Sequence, residues 1–223
     1  MKKQYKKTVV FLIFLVLLVF DTSLFAQSSF EGKIIYSISY SDIPAEMKGY
    51  ESMMPKDMII TMKGSKSRIE QSQMMGKNIV INDMEKQTGF IEMDMGGQKL
   101  RINISTKEFN KKEENIPSKI EYTTETKTIL GYACKKAIMK NDAGNTLITL
   151  FYTDKIKNHA QKKFLGLKGF PLQYTMTQQN MTFEMTATEL IKQSVPDSLF
   201  EKSDGYKDIT QADMQKMMGG IKF

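Results

Sequence analysis

Residues 181–188 read MTFEMTAT and decide the fold, because apolar and polar side chains alternate at every position. In an extended strand, Met181, Phe183, Met185 and Ala187 would lie on one face, and the Thr and Glu residues between them on the other. A period of two with one apolar face predicts a half-buried antiparallel strand. The protein is therefore expected to present one apolar sheet face to its interior.

The same alternation recurs in other stretches, such as residues 34–40 and 172–176, with short Gly- or Asn-containing turns between the apolar runs. Because each strand is followed closely by the next, we expect consecutive strands to pair as hairpins. The sequence predicts about ten strands, near residues 30–41, 57–63, 66–73, 77–83, 87–95, 98–105, 118–128, 132–141, 145–154 and 171–194, the last divided at Asn180 into two arms.

The predicted fold class is α+β and mostly β, with a single curved antiparallel sheet. So many short hairpins favour one curved sheet, an incomplete barrel, over a two-layer sandwich. Short helices are expected within residues 43–54 and 158–166. A third begins after Thr210, which can cap it together with Asp213. Its apolar stripe is formed by three methionines, Met214, Met217 and Met218, and Gly219-Gly220 ends it.

The N-terminus has the pattern of a secretory signal peptide. Four of the first seven residues are Lys, and an uninterrupted apolar run follows from Val9 to Phe20. That run is shorter than the roughly 20 residues of a membrane-spanning helix. We predict cleavage after Ala26 and export to the periplasm or beyond, with no integral membrane segment left. Residues 27–223 would then form a single domain.

Composition excludes several functional classes. The chain of 223 residues has one Cys and one His, so an intramolecular disulfide and a histidine-based metal site are not expected. Its net charge of +7 falls to +4 without residues 1–26, because that segment holds four Lys and one Asp. Arg, the residue that best reads bases, occurs only at Arg68 and Arg101. We therefore predict no nucleic-acid partner and no cofactor.

Two sequence motifs are not accounted for by the alternation of apolar and polar residues. Residues 127–137, KTILGYACKKA, fit the pattern K-x-I-x-G-Y-x-C-x-K, and residues 195–200, VPDSLF, are followed by GYK at 205–207. With FEG at 30–32 and GFPL at 169–172, they resemble a domain-of-unknown-function family of exported bacterial proteins. The resemblance implies a fold similar to periplasmic lipoprotein carriers of the Lol type, a half-barrel whose apolar concavity is plugged by short helices. It implies no established activity.

Methionine is unusually frequent, at 18 residues, and no Trp is present. Flexible thioethers can adapt to apolar guests of varied shape, although they also fill ordinary cores. If the concavity is open, an Arg at its mouth, Arg68 in preference to Arg101, would contact a polar head group. The residues predicted to line the concavity are Tyr36, Ile38, Met93, Ile102, Tyr132, Tyr174, Met176, Phe183 and Met185.

No catalytic motif is present, so we predict a protein that is not an enzyme. Cys134 is read first as a buried core residue and second as a reactive thiol or an intermolecular disulfide partner. Met214 and Met217 have a spacing that two copper ligands could use, but no His or Cys lies nearby and no metal site is predicted. The predicted function is binding or carriage of a lipid-like or acylated ligand. The alternative is an envelope module that binds a protein partner and no small molecule.

Overall fold

The computed structural model describes residues 30–73, 76–110, 117–157, 159–178 and 180–217. The predicted signal peptide, Met218 and the glycine pair after it lie outside these residues. Twelve strands in the described part form one sheet that is curved and not closed into a barrel, in place of about ten. The predicted fold class, mostly β with a single curved sheet, is therefore confirmed.

Eleven of the strands pair antiparallel with their neighbours, and the last pairs parallel. The order across the sheet is β12-β6-β5-β4-β3-β2-β1-β11-β10-β9-β8-β7. The strands are β1 (Gly32–Ser41), β2 (Asp57–Lys63), β3 (Lys66–Gln73), β4 (Gly76–Asp83), β5 (Thr88–Met95), β6 (Gln98–Ile104), β7 (Lys119–Ile129), β8 (Tyr132–Lys140), β9 (Thr146–Thr153), β10 (Phe170–Gln178), β11 (Met181–Lys192) and β12 (Lys207–Ile209).

The sheet has two faces that the alternation separates as expected. We define the inner face as the one that carries Tyr36, which lies opposite Met58 on β2 and Ala187 on β11. Residues directly opposite in a ladder share a face, so register places Ile69 on the inner face and its neighbour Arg68 on the outer face. The inner face of β1, β2 and β8–β11 carries the larger apolar core.

The loop of residues 154–169, described except for residue 158, covers this inner face. Ile156, Ala160 and Phe164 are each at most 2% exposed and belong to the larger core. Ser67 Oγ on β3 donates a 2.7 Å hydrogen bond to the Ala160 carbonyl, which fixes the loop to the sheet. The concavity is thus covered by a loop with one 3₁₀ turn, Lys162–Phe164, within the predicted 158–166 helix.

A smaller core lies on the outer face of β4 and β5. Ile79, Ile81 and Phe90 pack there against Val195 and Phe200 of the C-terminal segment. On the neighbouring strands, Lys63 Nζ donates to the Val195 carbonyl at 3.0 Å and Arg68 Nη1 to the Leu199 carbonyl at 3.1 Å. The segment that gave the VPDSLF motif therefore covers the outer face of one half of the sheet.

The KTILGYACKKA motif encodes a tight hairpin between β7 and β8. Leu130 and Gly131 have φ values of 51° and 78°, the left-handed conformations that a two-residue turn of this type requires. Ile129 pairs with Tyr132 across the turn. Cys134 is fully buried in the larger core. The ladder of β7 with β8 shifts register between Tyr122 and Thr126 on β7. The motif is explained by turn geometry and packing.

Helices are few and short. Helix α1 (Thr106–Phe109), which the sequence analysis did not predict, begins with a capping box between Ser105 and Glu108. Helix α2 (Gln211–Met217) begins after Thr210, whose Oγ1 accepts from Asp213 N at 3.1 Å as predicted. Residues 43–54 form two 3₁₀ turns, Ala45–Met47 and Glu51–Met53, instead of one helix. Another 3₁₀ turn spans Asp197–Phe200.

Candidate functional site: a cavity on the inner face

A cavity of about 390 Å³ lies between the inner face and the covering loop. Its volume falls in the range of about 300–1,000 Å³ that is typical of small-molecule sites. Apolar residues line most of it: Met58, Ile60, Ile69, Phe164, Tyr174, Met176, Phe183 and Met185. The polar lining residues are Gln71, Asn82, Gln161, Lys162, Lys163 and Gln178.

The curvature of the sheet creates this space. Asn82 on β4 and Tyr174 on β10 both line the cavity, yet five strand-to-strand steps separate β4 from β10. At about 4.8 Å for each step, a flat sheet would hold the two strands about 24 Å apart. The two arms of the sheet therefore bend toward each other across β1, β2 and β11, and the covering loop closes the gap between them.

Four of the nine residues predicted for the concavity come together in its lining, namely Tyr174, Met176, Phe183 and Met185. They lie at alternate positions of β10 and β11, in the hairpin whose pattern first indicated a sheet. Tyr174 also packs edge-to-face on Phe164 of the covering loop, with ring centroids 5.2 Å apart. This hairpin therefore forms one wall of the cavity and supports its cover.

Three other predicted residues belong to the core beside the cavity. Tyr36 and Ile38 are buried on β1, and the Tyr36 ring lies 5.9 Å from that of Tyr174. The Tyr36 hydroxyl donates a 2.6 Å hydrogen bond to the Pro171 carbonyl. Tyr132 is half-buried against the same core. These residues pack behind the lining residues and do not line the cavity themselves.

Met93 and Ile102 lie away from the cavity on β5 and β6. Register places both on the inner face, as the alternation indicated, because Met93 is opposite Asn78 and Ile102 is opposite Ile91. Both are half-buried, and neither is part of the cavity lining. On this side the sheet continues for three strands, β5, β6 and β12, beyond β4, the last strand that lines the cavity.

Arg68 lies on the outer face and is not brought to the cavity. Its Nε donates to Glu70 at 2.9 Å, and its Nη1 donates to the Leu199 carbonyl of the C-terminal segment. The sequence held a signal for this placement. Ile69 fits the apolar period of β3, so its neighbour Arg68 must point to the opposite face. In this position Arg68 links the sheet to the outer covering segment.

The charged groups of the cavity were missed by the sequence analysis. Lys162 and Lys163 lie in the 3₁₀ turn of the covering loop, where no periodic pattern marks them. Lys162 Nζ donates to the Phe109 carbonyl and lies 5.2 Å from the centroid of the Phe109 ring. Lys163 Nζ lies 3.5 Å from Met176 Sδ. Both ammonium groups are thus placed beside the apolar lining.

Burial shifts the titration of several groups near the cavity. It raises the pKa of Tyr174 and of Tyr36, so both hydroxyls stay protonated at neutral pH. It also raises the pKa of the Cys134 thiol, against a weaker lowering effect of Lys127. Cys134 is fully buried and donates to the Tyr132 carbonyl at 3.5 Å. These properties match the first interpretation of Cys134, a core residue.

The described residues contain no cluster of three or more His, Cys, Asp or Glu side chains that could hold a metal ion. None of the helices in the described ranges has the length and hydropathy needed to cross a membrane.

Comparison with known families gives a match over residues 57–213, most of the sheet, to a family described as N-glycanase peptide, N-terminal domain. The chain belongs to this family. No curated protein matches the chain in sequence. The open-sheet fold that the sequence resemblance implied is confirmed, and the family that carries it is the N-glycanase N-terminal domain family.

Among solved structures, PNGF-II matches with 16% identity and a TM-score of 0.52, over 86% of this chain and 34% of that chain. The chain thus spans about a third of the length of PNGF-II. LprF from Mycobacterium bovis matches with 10% identity and a TM-score of 0.33, over 73% of this chain and 86% of that one. The lipoprotein LppX of Mycobacterium tuberculosis matches with 10% identity and a TM-score of 0.29, over 71% and 85%.

Proposed function

We propose that this protein binds a hydrophobic ligand, such as the acyl chain of a lipid or an acylated protein, in the inner cavity and does not catalyse a reaction on it. The observation that carries the proposal is the lining of the cavity. Met58, Met176 and Met185 reach it from three different strands, together with aromatic side chains. Thioethers adapt to guests of varied shape, and each buried methylene of a ligand contributes about 0.8 kcal/mol.

The proposal also places the protein in the periplasm or outside the cell, after removal of residues 1–26. The proposal is a function for this domain and does not include the activity of N-glycanases. The chain matches only 34% of PNGF-II, and the family it belongs to is that of an N-terminal domain. In this view the fold serves to maintain a ligand cavity. The curved sheet and the covering loop form its walls, and the C-terminal segment stabilises the sheet from the outer face.

A matched pair of variants tests the proposal. Met176 lines the cavity, whereas Thr175 next to it on β10 points to the outer face. The purified protein, extracted with organic solvent and refolded, is titrated with 1-decanol and followed by calorimetry and thermal unfolding. Met176→Trp should fill the cavity and abolish binding, and Thr175→Trp should retain it.

A ligand at 100 times its Kd stabilises a protein by about 2.7 kcal/mol, which for this size raises Tm by about 5–10 °C. We expect that shift for the wild-type protein and for Thr175→Trp. A wild-type protein that shows neither heat of binding nor a shift in Tm with decanol would contradict the proposal, as would undiminished binding by Met176→Trp.

A second candidate function is that of an envelope module that binds a protein partner. Strand β7 is an edge strand of eleven residues, and nearly all of its side chains are exposed. The unpaired backbone groups of such an edge can pair with a strand of another chain. This candidate predicts a stoichiometric complex in which β7 amides gain protection from hydrogen exchange, with no lipid bound. Unchanged exchange of β7 in any such complex would argue against it.

A further inference from the structure

A buried hydroxyl, that of Tyr174 on β10, belongs to the lining of the cavity. Tyr174 is 5% exposed and lies opposite Met185 on β11, which also lines the cavity. Its ring packs edge-to-face on the rings of Tyr36 and Phe164, with centroids 5.9 Å and 5.2 Å apart. Apolar packing on several sides therefore fixes the position of this side chain beside the cavity.

Within the described part of the chain, no residue forms a hydrogen bond with the Tyr174 hydroxyl. The neighbouring buried tyrosine differs, because the Tyr36 hydroxyl donates to the Pro171 carbonyl at 2.6 Å. Buried polar groups are nearly always paired, since an unmade hydrogen bond leaves the cost of desolvation uncompensated. The Tyr174 hydroxyl is therefore available to bond with a molecule that enters the cavity.

The state of this hydroxyl determines which ligand group suits it. Burial raises the pKa of Tyr174, so the hydroxyl keeps its proton at neutral pH and can donate it. A carbonyl oxygen only accepts, so one donor offsets much of the cost of burying it. A ligand hydroxyl would bring a further proton that needs its own acceptor. A carboxylate would have to give up the hydration of a full charge beside an apolar lining.

We infer that the Tyr174 hydroxyl donates a hydrogen bond to the carbonyl oxygen of a neutral acyl group, an ester or an amide, whose chain lies against Phe183 and Met185. This inference rests on the proposed function and adds to it the group by which the ligand is recognised. The chain supplies affinity through burial, and the hydrogen bond sets the preference for acyl compounds over plain hydrocarbons.

Three probes of similar size separate the chain from the carbonyl. Heptane carries the chain alone, methyl hexanoate adds an ester carbonyl, and N-methylhexanamide adds an amide carbonyl. The protein is extracted and refolded as for the decanol titration, and binding is followed by calorimetry and thermal unfolding. We expect Tyr174→Phe to bind methyl hexanoate about tenfold more weakly than the wild type, which corresponds to about 1.4 kcal/mol. Its affinity for heptane should be that of the wild type.

The two carbonyl probes also distinguish the source of the acyl group, since an ester represents a lipid and an amide represents an acylated protein. Both should lose affinity in Tyr174→Phe. In the wild type we expect the ester to bind more tightly, because the amide N–H must be desolvated as well. Tighter binding of the amide would assign the site to an acylated protein, with the same role for Tyr174.

Tyr36→Phe is the matched control. It removes a hydroxyl that lies behind the lining and already has a protein partner, Pro171. It should lower Tm of the ligand-free protein and leave the ratio of the affinities for methyl hexanoate and heptane unchanged. Tyr174→Phe should leave the ligand-free Tm unchanged or raise it, because it removes a buried hydroxyl that has no partner among the described residues.

The outcomes separate this inference from the proposed function. Heptane binding by Tyr174→Phe shows that the variant is folded and that its cavity is open. Undiminished affinity of Tyr174→Phe for both carbonyl probes, or a loss of Tm as large as that of Tyr36→Phe, would overturn the inference and leave the proposed function standing. If the wild type bound none of the three probes, the proposed function would be overturned, and the inference with it.

Discussion

Glu92 on β5 and Arg101 on β6 lie opposite each other and form a buried ion pair on the outer face of the sheet. Arg101 donates to the Glu92 Oε1 atom from Nε at 2.9 Å and from Nη2 at 2.8 Å. Ser203 of the C-terminal segment donates to the same carboxylate from its backbone N at 2.9 Å and from Oγ at 2.8 Å. The pair therefore joins the last part of the chain to the sheet.

Replacing Glu92 tests how much this pair contributes. Glu92→Gln would remove the buried counter-charge of the Arg101 guanidinium, since the Glu92 side chain is fully buried and that of Arg101 is 8% exposed. The remaining partner, Asp208 at 3.2 Å, has a side chain that is 54% exposed and compensates the buried charge less well. Breaking a buried pair from one side costs about 3–5 kcal/mol. We expect a loss of that size in the free energy of unfolding, measured by urea denaturation.

Glu121→Gln is the matched control for this experiment. Glu121 also pairs with a cation across neighbouring strands, Lys140 at 2.8 Å, but its side chain is 56% exposed. Exposed pairs contribute about 0–1 kcal/mol. Equal losses in the two variants would show that the Glu92 pair is no more important than a surface contact.

Acid should weaken the same region. Burial alone would raise the pKa of Glu92, but hydrogen bonds from Ser203 and Arg101 outweigh it and hold the pKa below its ordinary value. In Glu70, Arg68 and Lys77 overcome burial in the same way and lower the pKa. Each carboxylate thus binds its proton more weakly in the folded chain than in the unfolded one.

The stability that these carboxylates add is complete above their unfolded pKa and is lost as pH falls through the folded pKa. We expect the urea midpoint to be nearly constant from about pH 7 to about pH 5 and to fall below that range. Glu92→Gln should show a shallower decline, because one of the two groups no longer titrates. If the urea midpoint of Glu92→Gln fell with pH as steeply as that of the wild type, Glu92 would be excluded as a source of acid sensitivity.

Alternation was sufficient to predict most of the sheet. The strand predicted at 66–73 is β3, and the hairpin divided at Asn180 is β10 and β11. Strand β12 was missed because its three residues pair parallel with β6, and no periodicity can show in so short a segment. The position of β12 depends on where the chain returns to the sheet after residues 195–200, and that is decided by tertiary packing.

Only those cavity-lining residues that lie on strands could be predicted from the sequence. Phe183 and Met185 follow from the period of two, and so does the inner-face position of Met93. The sequence could not show that β5 lies beyond the covered part of the sheet, because that depends on the curvature and on where the 154–169 loop ends. Lys163 carries no pattern at all, since its position is fixed by the packing of Phe164.

The hydrogen bond between Ser67 and the covering loop should control the stability of the cavity. Ser67 is buried, and Ser67→Ala would leave the Ala160 carbonyl without this 2.7 Å bond. An unsatisfied buried carbonyl costs about 1–3 kcal/mol. We expect that loss in global stability together with faster proteolysis within residues 154–169, detected by mass spectrometry of the fragments.

Ser37→Ala provides the comparison for Ser67→Ala. Ser37 is exposed on β1 and donates a longer bond, 3.3 Å, to the Thr186 carbonyl. Water can replace that bond, so stability should change by less than about 0.5 kcal/mol. Cleavage of the loop at the wild-type rate in Ser67→Ala would mean that packing of Phe164 holds the loop without help from the hydrogen bond.

Gly169, the first residue of the GFPL motif, is expected to tolerate no side chain. A Cβ atom there would lie 2.0 Å from the Thr153 carbonyl oxygen and 3.0 Å from Cδ2 of Tyr152. The obstacle is backbone of the neighbouring strand, so relief requires β9 and β10 to separate where Phe170 pairs with Thr153. We expect Gly169→Ala to lower the free energy of unfolding by at least about 3 kcal/mol, measured by urea denaturation.

Gly205→Ala separates this steric effect from the general cost of replacing a glycine. Gly205 has a φ of 80°, and apart from its two chain neighbours no atom of the described residues lies within 4 Å of the position its Cβ would take. Its substitution should cost about 1–2 kcal/mol, the strain of a left-handed backbone alone. If Gly169→Ala cost no more than Gly205→Ala, β9 and β10 would have to be able to part without disturbing the core. The buried Phe170 and Leu172, which follow Gly169 directly on β10, argue that they cannot.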